Sequence, residues 1–298
     1  MRIAITGGTG FLGVPLQAAL RSSGHEVLVV GRARPGHSPD IPWDPERGTL
    51  DGARLEGVDA VYHLAGEPIG ERWTGGRKAA LRSSRVKGTT LIASTLASLA
   101  KPPRVLVSMS AIGIYGSRGD EELTERSALG GGFLADLGKA WEAAADPARA
   151  AGIRVVHPRM GIVLHESGGA LAKMLPPFRL GLGGRLGDGR QYMSWVSRAD
   201  AIAALLFLMT NDSMHGAVNV TAPAPVTNAE FTRALGQAVH RPAIAVVPEF
   251  AIRLLFGEMG EATVLAGQRV LPKALQDHGF RFSHLQLAAA LQYALGTK

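Results

Sequence analysis

The sequence contains no cysteine among its 298 residues, so disulfide bonds and thiolate metal sites are excluded. The absence of cysteine fits a reducing compartment. Long hydrophobic runs are also missing, since the longest, AIAALLFLM from Ala201, is too short to span a bilayer. The first residues, MRIAITGG, lead directly into a strand pattern without the apolar core of a signal peptide. We therefore expect a soluble, cytoplasmic protein with no membrane partner.

Runs of positive charge are short, although the chain as a whole is basic. The formal net charge of +7 suits an anionic partner. However, no run of Lys and Arg exceeds two residues, and no basic stripe is interleaved with aromatic residues. These features disfavour nucleic-acid binding, whereas a small phosphate-bearing ligand could use the same positive field. The nine histidines show no metal-ligand spacing, so no metal site is predicted.

Short apolar segments alternate with helical patterns along the first half of the chain. Buried strands are predicted for RIAIT, HEVLVVGR, GVDAVYHLAG and PRVLVSMSA. This alternation predicts an α/β fold, with a Rossmann doubly wound parallel sheet covered on both faces. The alternation of strand and helix patterns ends after Leu164. We predict a Rossmann domain from residues 1–164 and about 190–228, and a smaller, mostly helical C-terminal substrate lobe from residues 165–189 and 229–298.

The stretch ITGGTGFLG, from Ile5 to Gly13, follows the first strand and opens the first helix. Gly7 allows the tight turn, Gly10 lets the backbone approach a pyrophosphate, and Gly13 lets the helix pack closely on the strand. The helix N-terminus offers free N–H groups to phosphate oxygens. This context predicts dinucleotide binding, and the candidate contacts in the loop are Gly7, Thr9, Gly10, Phe11, Leu12 and Gly13.

The end of the second strand indicates which dinucleotide binds. A carboxylate there would favour NAD by accepting hydrogen bonds from the ribose 2′-hydroxyl. The sequence instead reads VVGRARPG, with Arg32 in that place and Arg34 nearby. A guanidinium can bind a 2′-phosphate through paired hydrogen bonds. The predicted cofactor is therefore NADP(H), with NAD(H) less favoured, and an ordinary surface arginine is the alternative interpretation.

Three motifs span the ends of predicted strands: TGGTGFLG, DAVYHLAGEP and SMSAIGIYG. In these motifs the chain resembles the extended short-chain dehydrogenase/reductases, the superfamily of sugar-nucleotide epimerases and dehydratases. Over nearly its whole length it resembles an atypical epimerase-like family with a C-terminal helical extension. The resemblance implies a nicotinamide cofactor, with Leu64, Ala65 and Gly66 beside its adenosine ribose. It also implies that the loop from His157 to Gly161, including Arg159, lies near the nicotinamide.

The superfamily's chemistry uses a Ser or Thr, a Tyr and a Lys, in which the Tyr acts as general acid and base. Ser110 matches the serine position, and Lys139 lies at about the expected distance from it. The residue four before Lys139 is Ala135 instead of Tyr. Tyr115 belongs to the YG motif, which normally does not supply the catalytic tyrosine. The candidate catalytic residues are therefore Ser110, Tyr115 and Lys139, and Lys139 is also a candidate cofactor contact.

Three interpretations of the missing tyrosine remain open. Another group supplies the proton, for which Tyr115, Tyr192, Asp136 and Glu67 are candidates. Alternatively, hydride transfer proceeds slowly with little acid assistance, or catalysis is lost. Lys139 could equally be a solvated helix lysine, and Tyr115 a packed residue whose hydroxyl bonds to the backbone.

The leading functional hypothesis is an NADP(H)-dependent oxidoreductase or epimerase-like enzyme. Its substrate would be an unidentified small molecule, a sugar nucleotide or another carbonyl compound, bound between the two lobes. The alternative is a regulatory binding protein that senses NADP(H) with weak or no catalysis. A homodimer is an option by analogy with the superfamily.

Overall fold

Buried strands and amphipathic helices alternate as the apolar pattern predicts. The computed structural model describes residues 1–33 and 38–296, so Arg34 lies outside the described residues. The strands are β1 (Arg2–Thr6), β2 (Glu26–Gly31), β3 (Ile41–Asp44), β4 (Thr49–Leu50), β5 (Ala60–His63), β6 (Val105–Ser108), β7 (Ser110–Ala111), β8 (Glu122–Leu123), β9 (Arg154–Met160), β10 (Ile162–Leu164), β11 (Gly184–Leu186), β12 (Tyr192–Met193), β13 (Trp195–Ser197), β14 (Gly216–Val220), β15 (Val226–Thr227), β16 (Ala245–Val247) and β17 (Arg269–Val270).

The longest helix follows β5. The helices are α1 (Gly13–Ser22), α2 (Gly75–Ala97), α3 (Phe133–Ala143), α4 (Asp146–Ala150), α5 (Gly169–Arg179), α6 (Arg198–Thr210), α7 (Asn228–Ala238), α8 (Glu249–Phe256), α9 (Lys273–Asp277) and α10 (Leu287–Ala294). Single 3-10 turns occupy Gly52–Leu55 and Ile112–Tyr115, and a π-helical turn occupies Gly260–Leu265. The start of α2 is set by Thr74, whose side chain accepts a hydrogen bond from the N–H of Arg77.

The central sheet has the order β14-β9-β6-β5-β1-β2-β3-β4, and β7 pairs with β9. Every pairing along it is parallel except β3 with β4. Because the strand order reverses direction on either side of β1, the carboxyl ends of β1 and β5 border a crevice of the kind that binds ligands in open α/β sheets.

Alternate residues of β1 pack into hydrophobic clusters on opposite faces of the sheet. Ile3 and Ile5 belong to the cluster that includes residues of α1 and α6. Ala4 belongs to the cluster that includes residues of α2 and α4. Side chains in a strand alternate between faces, so a strand buried on both sides needs an unbroken apolar run. The predicted α/β fold with a doubly wound parallel sheet is confirmed.

A separate hydrophobic cluster joins α5, α7 and α10 through side chains such as Leu175, Phe231 and Leu291. The chain between α7 and α10 returns to the Rossmann half without joining the central sheet. β17 pairs with β8, and Leu275 of α9 joins the same cluster as α1 and α6. The predicted substrate lobe, residues 165–189 and 229–298, stays a prediction. Within its second segment, residues 269–277 pack on the Rossmann half.

Candidate functional site

The glycine turn after β1 lies against the end of β5. Gly7 has φ +68°, a conformation that favours glycine. A Cβ at Gly7 would lie 2.9 Å from the backbone N of Ala65, and one at Gly13 would lie 2.2 Å from the carbonyl oxygen of Gly7. Neither position has room for a side chain. The turn and the start of α1 therefore form a bare backbone cradle, which fits the diphosphate of a dinucleotide.

Thr6 and His63 tie the ends of β1 and β5 together beneath this cradle. The Oγ1 atom of Thr6 lies 2.7 Å from Nδ1 of His63 and accepts hydrogen bonds from the N–H groups of Leu64 and Ala65. Both side chains are fully buried. Burial lowers the pKa of His63 to about 4, so its ring is neutral at neutral pH. The pair holds Leu64 and Ala65, two of the predicted cofactor contacts, next to the glycine turn.

Of the remaining loop residues, two are exposed and two pack against other parts of the chain. Thr9 and Gly10 are exposed, and Leu12 packs against the core of α1 and α6. The Phe11 ring is in close contact with Gly168, where an added Cβ would lie 2.5 Å from Cδ2 of the ring. The Arg198 guanidinium lies 5.6 Å from the centre of the same ring. Phe11 therefore links the cradle to the segment that precedes α5.

One predicted and one unpredicted arginine are candidates for binding the cofactor. Arg32 is exposed just beyond β2, the place where a 2′-phosphate would be read. Arg85 of α2, which sequence reasoning did not select, has its guanidinium 3.5 Å from the position of an added Cβ on Gly66. The same guanidinium lies 4.9 Å from the Trp141 ring centre. Burial lowers the pKa of Arg85 to about 10, although the negative charge of Glu67 acts to raise it.

A buried polar network joins the candidate catalytic segment to β9 and β14. Ser110 donates to Oε1 of Glu142 at 2.7 Å. Arg159 binds both oxygens of that carboxylate, at 2.8 Å through Nε and 2.9 Å through Nη2. Arg159 also donates to the Tyr115 hydroxyl at 2.9 Å, and that hydroxyl donates to Oδ1 of Asn219 at 2.7 Å. The network thus brings together Ser110, Tyr115 and Arg159, three of the predicted site residues.

The ionisation of this network follows from its burial and its paired charges. Burial raises the pKa of Tyr115, and the Arg159 charge only partly opposes it. For Glu142, burial favours the neutral form, but hydrogen bonds and charge from Arg159 outweigh it and hold the pKa of the carboxyl below its usual value. Burial also acts against the Arg159 charge, and the bonds from Glu142 more than offset it, so the pKa of Arg159 is raised. At neutral pH the network therefore consists of the ionised Glu142–Arg159 pair and the protonated hydroxyl of Tyr115.

Lys139 lies outside this network. Its side chain is 42% exposed, and Nζ pairs with Asp136 one turn earlier at 3.4 Å. The residue at the expected tyrosine position, Ala135, is fully buried. Tyr115 is fully buried too, and its hydroxyl bonds to side chains instead of the backbone group that the alternative interpretation expected. The catalytic roles of Ser110, Tyr115 and Lys139 stay predictions.

Sequence reasoning missed Glu142 and Asn219. Glu142 stands in AWEAAADP and reads as an ordinary glutamate of an amphipathic helix. Its partners lie 17 residues away, at Arg159, and 32 residues away, at Ser110. No local pattern connects them. Within residues 1–33 and 38–296, no group of three His, Asp or Glu side chains could hold a metal ion, and no helix is long and apolar enough to cross a membrane.

Comparison with protein families gives two matches. Residues 3–133 match the NAD dependent epimerase/dehydratase family. Residues 247–294 match a domain of unknown function, DUF1731. The first match contains the glycine cradle, β5 and the Ser110 segment, and the second covers most of the C-terminal extension from α8 to α10.

Named relatives and a solved structure span nearly the whole chain. Epimerase family protein Mb2239 of Mycobacterium bovis is 45% identical over 293 residues, covering 98% of this chain and 97% of the relative. Epimerase family protein SDR39U1 of Homo sapiens is 36% identical, covering 98% and 99%. A crystal structure of human SDR39U1 (isoform 2) with NADPH superposes with a TM-score of 0.91 at 33% identity, covering 100% of both chains. The chain therefore belongs to the NAD-dependent epimerase/dehydratase family, in the branch of the SDR39U1-like epimerase family proteins.

Proposed function

We propose that this protein is an NADP(H)-dependent oxidoreductase or epimerase-like enzyme that acts on a small carbonyl or hydroxyl compound. The observation that carries the proposal is the backbone cradle at Gly7 and Gly13, where any side chain would collide with backbone atoms. A cradle of this kind, at the carboxyl edge of a parallel sheet, suits a dinucleotide diphosphate. The human relative solved with NADPH supports the same cofactor. The lack of cysteine fits a cytoplasmic location.

The cofactor would be held by residues on three strand ends. Gly7, Gly10 and Gly13, with Thr9, Phe11 and Leu12, would bind the diphosphate. The segment Leu64–Gly66 would lie beside the adenosine ribose, and Arg32 would bind the 2′-phosphate through charge-assisted hydrogen bonds. Arg85 adds a cation beside Gly66. When bound, the nicotinamide supplies or accepts a hydride.

Proton transfer would then fall to this chain's own groups. Tyr115 is protonated at neutral pH, and burial raises its pKa further, so it could donate a proton but would be a weaker acid than an exposed tyrosine. Ser110 would steady a substrate oxygen, and Lys139 would bind the nicotinamide ribose. Each role requires rearrangement, because Ser110 and Tyr115 are buried and hydrogen-bonded, and Lys139 is paired with Asp136.

A second function, NADP(H) sensing without catalysis, is favoured by one observation. The Ser110 and Tyr115 hydroxyls are both engaged by the Glu142–Arg159 ion pair and Asn219, and Ala135 replaces the usual tyrosine. A scaffold that keeps the cradle and holds the catalytic hydroxyls in structural bonds would bind the cofactor and respond to it without turning over substrate.

Titration with NADPH and NADH tests the cofactor half of the proposal. The protein should prefer NADPH by about tenfold to a hundredfold, the effect of a charge-assisted bond of about 1.5–3 kcal/mol. Arg32→Ala should remove the preference. Arg126→Ala, which removes an equal charge from another exposed position, should keep it. Binding of neither nucleotide would refute the proposal.

Turnover separates the enzyme from the sensor. An enzyme should oxidise NADPH in the presence of a carbonyl substrate, and Lys139→Ala should abolish that activity. If Lys139→Ala changes neither turnover nor NADPH affinity, the predicted role of the lysine is wrong. If the protein binds NADPH and no carbonyl compound accelerates its oxidation, the sensor function is supported.

A further inference from the structure

The short strand β16 has one open edge. Among the strands of the described chain, β16 pairs with β11 alone. The N–H of Ala245 makes one of the bonds to that side, to the carbonyl oxygen of Gly183 at 3.3 Å. Backbone groups of successive residues in a strand point to opposite edges, so those of Ile244 and Val246 point away from β11. An edge of this kind offers N–H and C=O groups to a further strand.

Apolar side chains flank the open edge of β16. The side chains of Ile244 and Val246 are both exposed. The helix α8 follows directly, and its residues Phe250 and Leu254, one turn apart on the same face, are exposed as well. Ile252 is buried on the opposite face of that helix. A helix that is apolar on both its inner and its outer face is normally covered on both.

Leu180 and Leu182 extend this apolar surface. The turn that carries them touches the chain before β16, since an added Cβ at Gly181 would lie 3.8 Å from Pro242. The six apolar side chains of the surface are 50–87% exposed. At about 100–200 Å² for each large apolar side chain, they present about 400–800 Å². One side of a standard interface covers about 800 Å², of which about 500 Å² is apolar, so this surface supplies the area that a stable dimer needs.

The two ends of β16 carry opposite charges. Arg241 precedes the strand, is exposed, and donates to the carbonyl oxygens of Arg179 and His240, which are neutral acceptors. Glu249 follows the strand and is half-exposed, with Arg253 at 3.5 Å. When two such strands run antiparallel, the cation of each copy faces the carboxylate of the other. The surface is therefore complementary to itself, which is what a two-fold symmetric dimer requires.

We propose that this surface binds a second copy of the chain, with β16 of each copy paired antiparallel to β16 of the other. With the two-fold axis at Ala245, Ile244 of each copy lies opposite Val246 of the second, and all four outward N–H groups meet a carbonyl oxygen. With the axis at Val246, Ile244 would face Pro248, which has no N–H. The first register also brings Arg241 of each copy to the end of the strand where the second copy has Glu249. The dimer goes beyond the proposed function and does not require NADPH to bind.

Analytical ultracentrifugation of the full-length protein over a wide range of concentration tests the proposal. The mass should approach twice the 31.3 kDa of one chain. Val246→Pro removes an outward N–H and keeps the bonds to β11, because proline is tolerated in an edge strand where its nitrogen faces outward. It should raise the dimer Kd at least about tenfold, since the symmetric interface loses a hydrogen bond at two places. The control, Val246→Thr, keeps the N–H and the branched shape of the side chain, so its dimer Kd should stay close to that of the wild type.

Reversing the charges at the ends of β16 tests the register. Arg241→Glu and Glu249→Arg should each raise the dimer Kd at least about tenfold, because each change occurs twice and sets like charges opposite each other. The double variant with both changes should dimerise again, since the two charges have only exchanged places. Arg126→Glu makes the same change of charge at another exposed position and should leave the dimer intact. All four positions are exposed or half-exposed, so the variants should fold, and thermal melts check this.

Three results would overturn the proposal. The first is a wild-type protein that stays monomeric at every concentration, including one whose apolar surface binds an unrelated peptide or a lipid vesicle instead. The second is a dimer that survives Val246→Pro and both charge reversals, because its interface would then lie elsewhere. The third is a double variant that remains as monomeric as the single ones, because Arg241 and Glu249 would then not face each other. If Val246→Pro fails to fold, the charge reversals decide. NADPH titration of the same samples tests the proposed function separately.

Discussion

Removing the charge of Glu142 should destabilise the fold far more than removing a surface charge. In Glu142→Gln the Arg159 guanidinium keeps its burial but loses the carboxylate that holds it at 2.8 and 2.9 Å. The two side chains are 15% and 5% exposed, so little water can replace the lost charge. Breaking a buried pair by neutralising one partner costs about 3–5 kcal/mol. With an unfolding entropy of about 2.1 cal/mol/K per residue over 298 residues, the melting temperature should fall by about 5–8 °C.

Urea unfolding followed by circular dichroism measures the change in the free energy of unfolding. The control is Glu121→Gln, which breaks the pair with Arg118. Glu121 is 48% exposed, so the loss should stay below about 1 kcal/mol. If the two variants lose the same free energy, the buried pair is no more than a surface salt bridge and the reasoning fails.

The pH dependence provides a second check on Glu142. Its pKa is lower in the folded state than in the unfolded state, where it is about 4.3. The stabilisation is therefore fully present above about pH 4.3 and is lost as the pH falls through the folded pKa. Below that pH, the difference between wild type and Glu142→Gln should shrink. A constant difference down to acid unfolding would contradict the ionised state of Glu142.

Three further predictions concern residues at the carboxyl ends of β1 and β5 and the neighbouring part of α2. Gly13→Ala should abolish NADPH binding and lower the free energy of unfolding by more than the about 1–3 kcal/mol that ordinary overpacking costs. The control is Gly75→Ala, where no atom lies within 4 Å of the added Cβ. It should change neither NADPH binding in the titration nor the melting temperature. The pKa of His63 is about 4 in the folded state and about 6.5 in the unfolded state, so the free energy of unfolding should fall by up to about 3 kcal/mol as the pH drops from about 6.5 toward 4. His63→Leu should remove this pH dependence, as measured by urea unfolding. An unchanged pH dependence in the variant would contradict the lowered pKa of His63. Arg85→Gln should weaken NADPH binding by about tenfold to a hundredfold, while Arg82→Gln, exposed one turn earlier, should leave the titration unchanged.

The sequence predicts the glycine turn after β1 well because its determinants are local. Gly7 and Gly13 are separated by six positions, and the turn between β1 and α1 imposes that spacing directly. The parallel sheet is equally visible, since strands buried on both faces need continuous apolar runs. Both features follow from residues that are neighbours in the chain.

The surroundings of the candidate catalytic residues are less predictable because their contacts are distant in sequence. Tyr115 meets Asn219 across 104 residues, and nothing near either residue shows the pairing. Lys139 has the expected spacing from Ser110, but spacing does not reveal that its side chain faces solvent. Arg85 is one of several cations along α2, and its contacts with Trp141 and Gly66, which the sequence does not show, distinguish it.

The return of the C-terminal segment to the Rossmann half has a consequence for how the chain folds. The N–H of Gly267 bonds to Ser117 across 150 residues, and the N–H of Ala274 bonds to Glu125 across 149. Contacts this distant require a large loop to close before they contribute, which slows folding. During synthesis, the packing around Ser117 and Glu125 cannot be completed until residues 267–274 have left the ribosome. The glycine turn after β1 is therefore translated long before the segment that packs on Ser117 and Glu125, and a nascent chain can form the cradle well before that packing is complete.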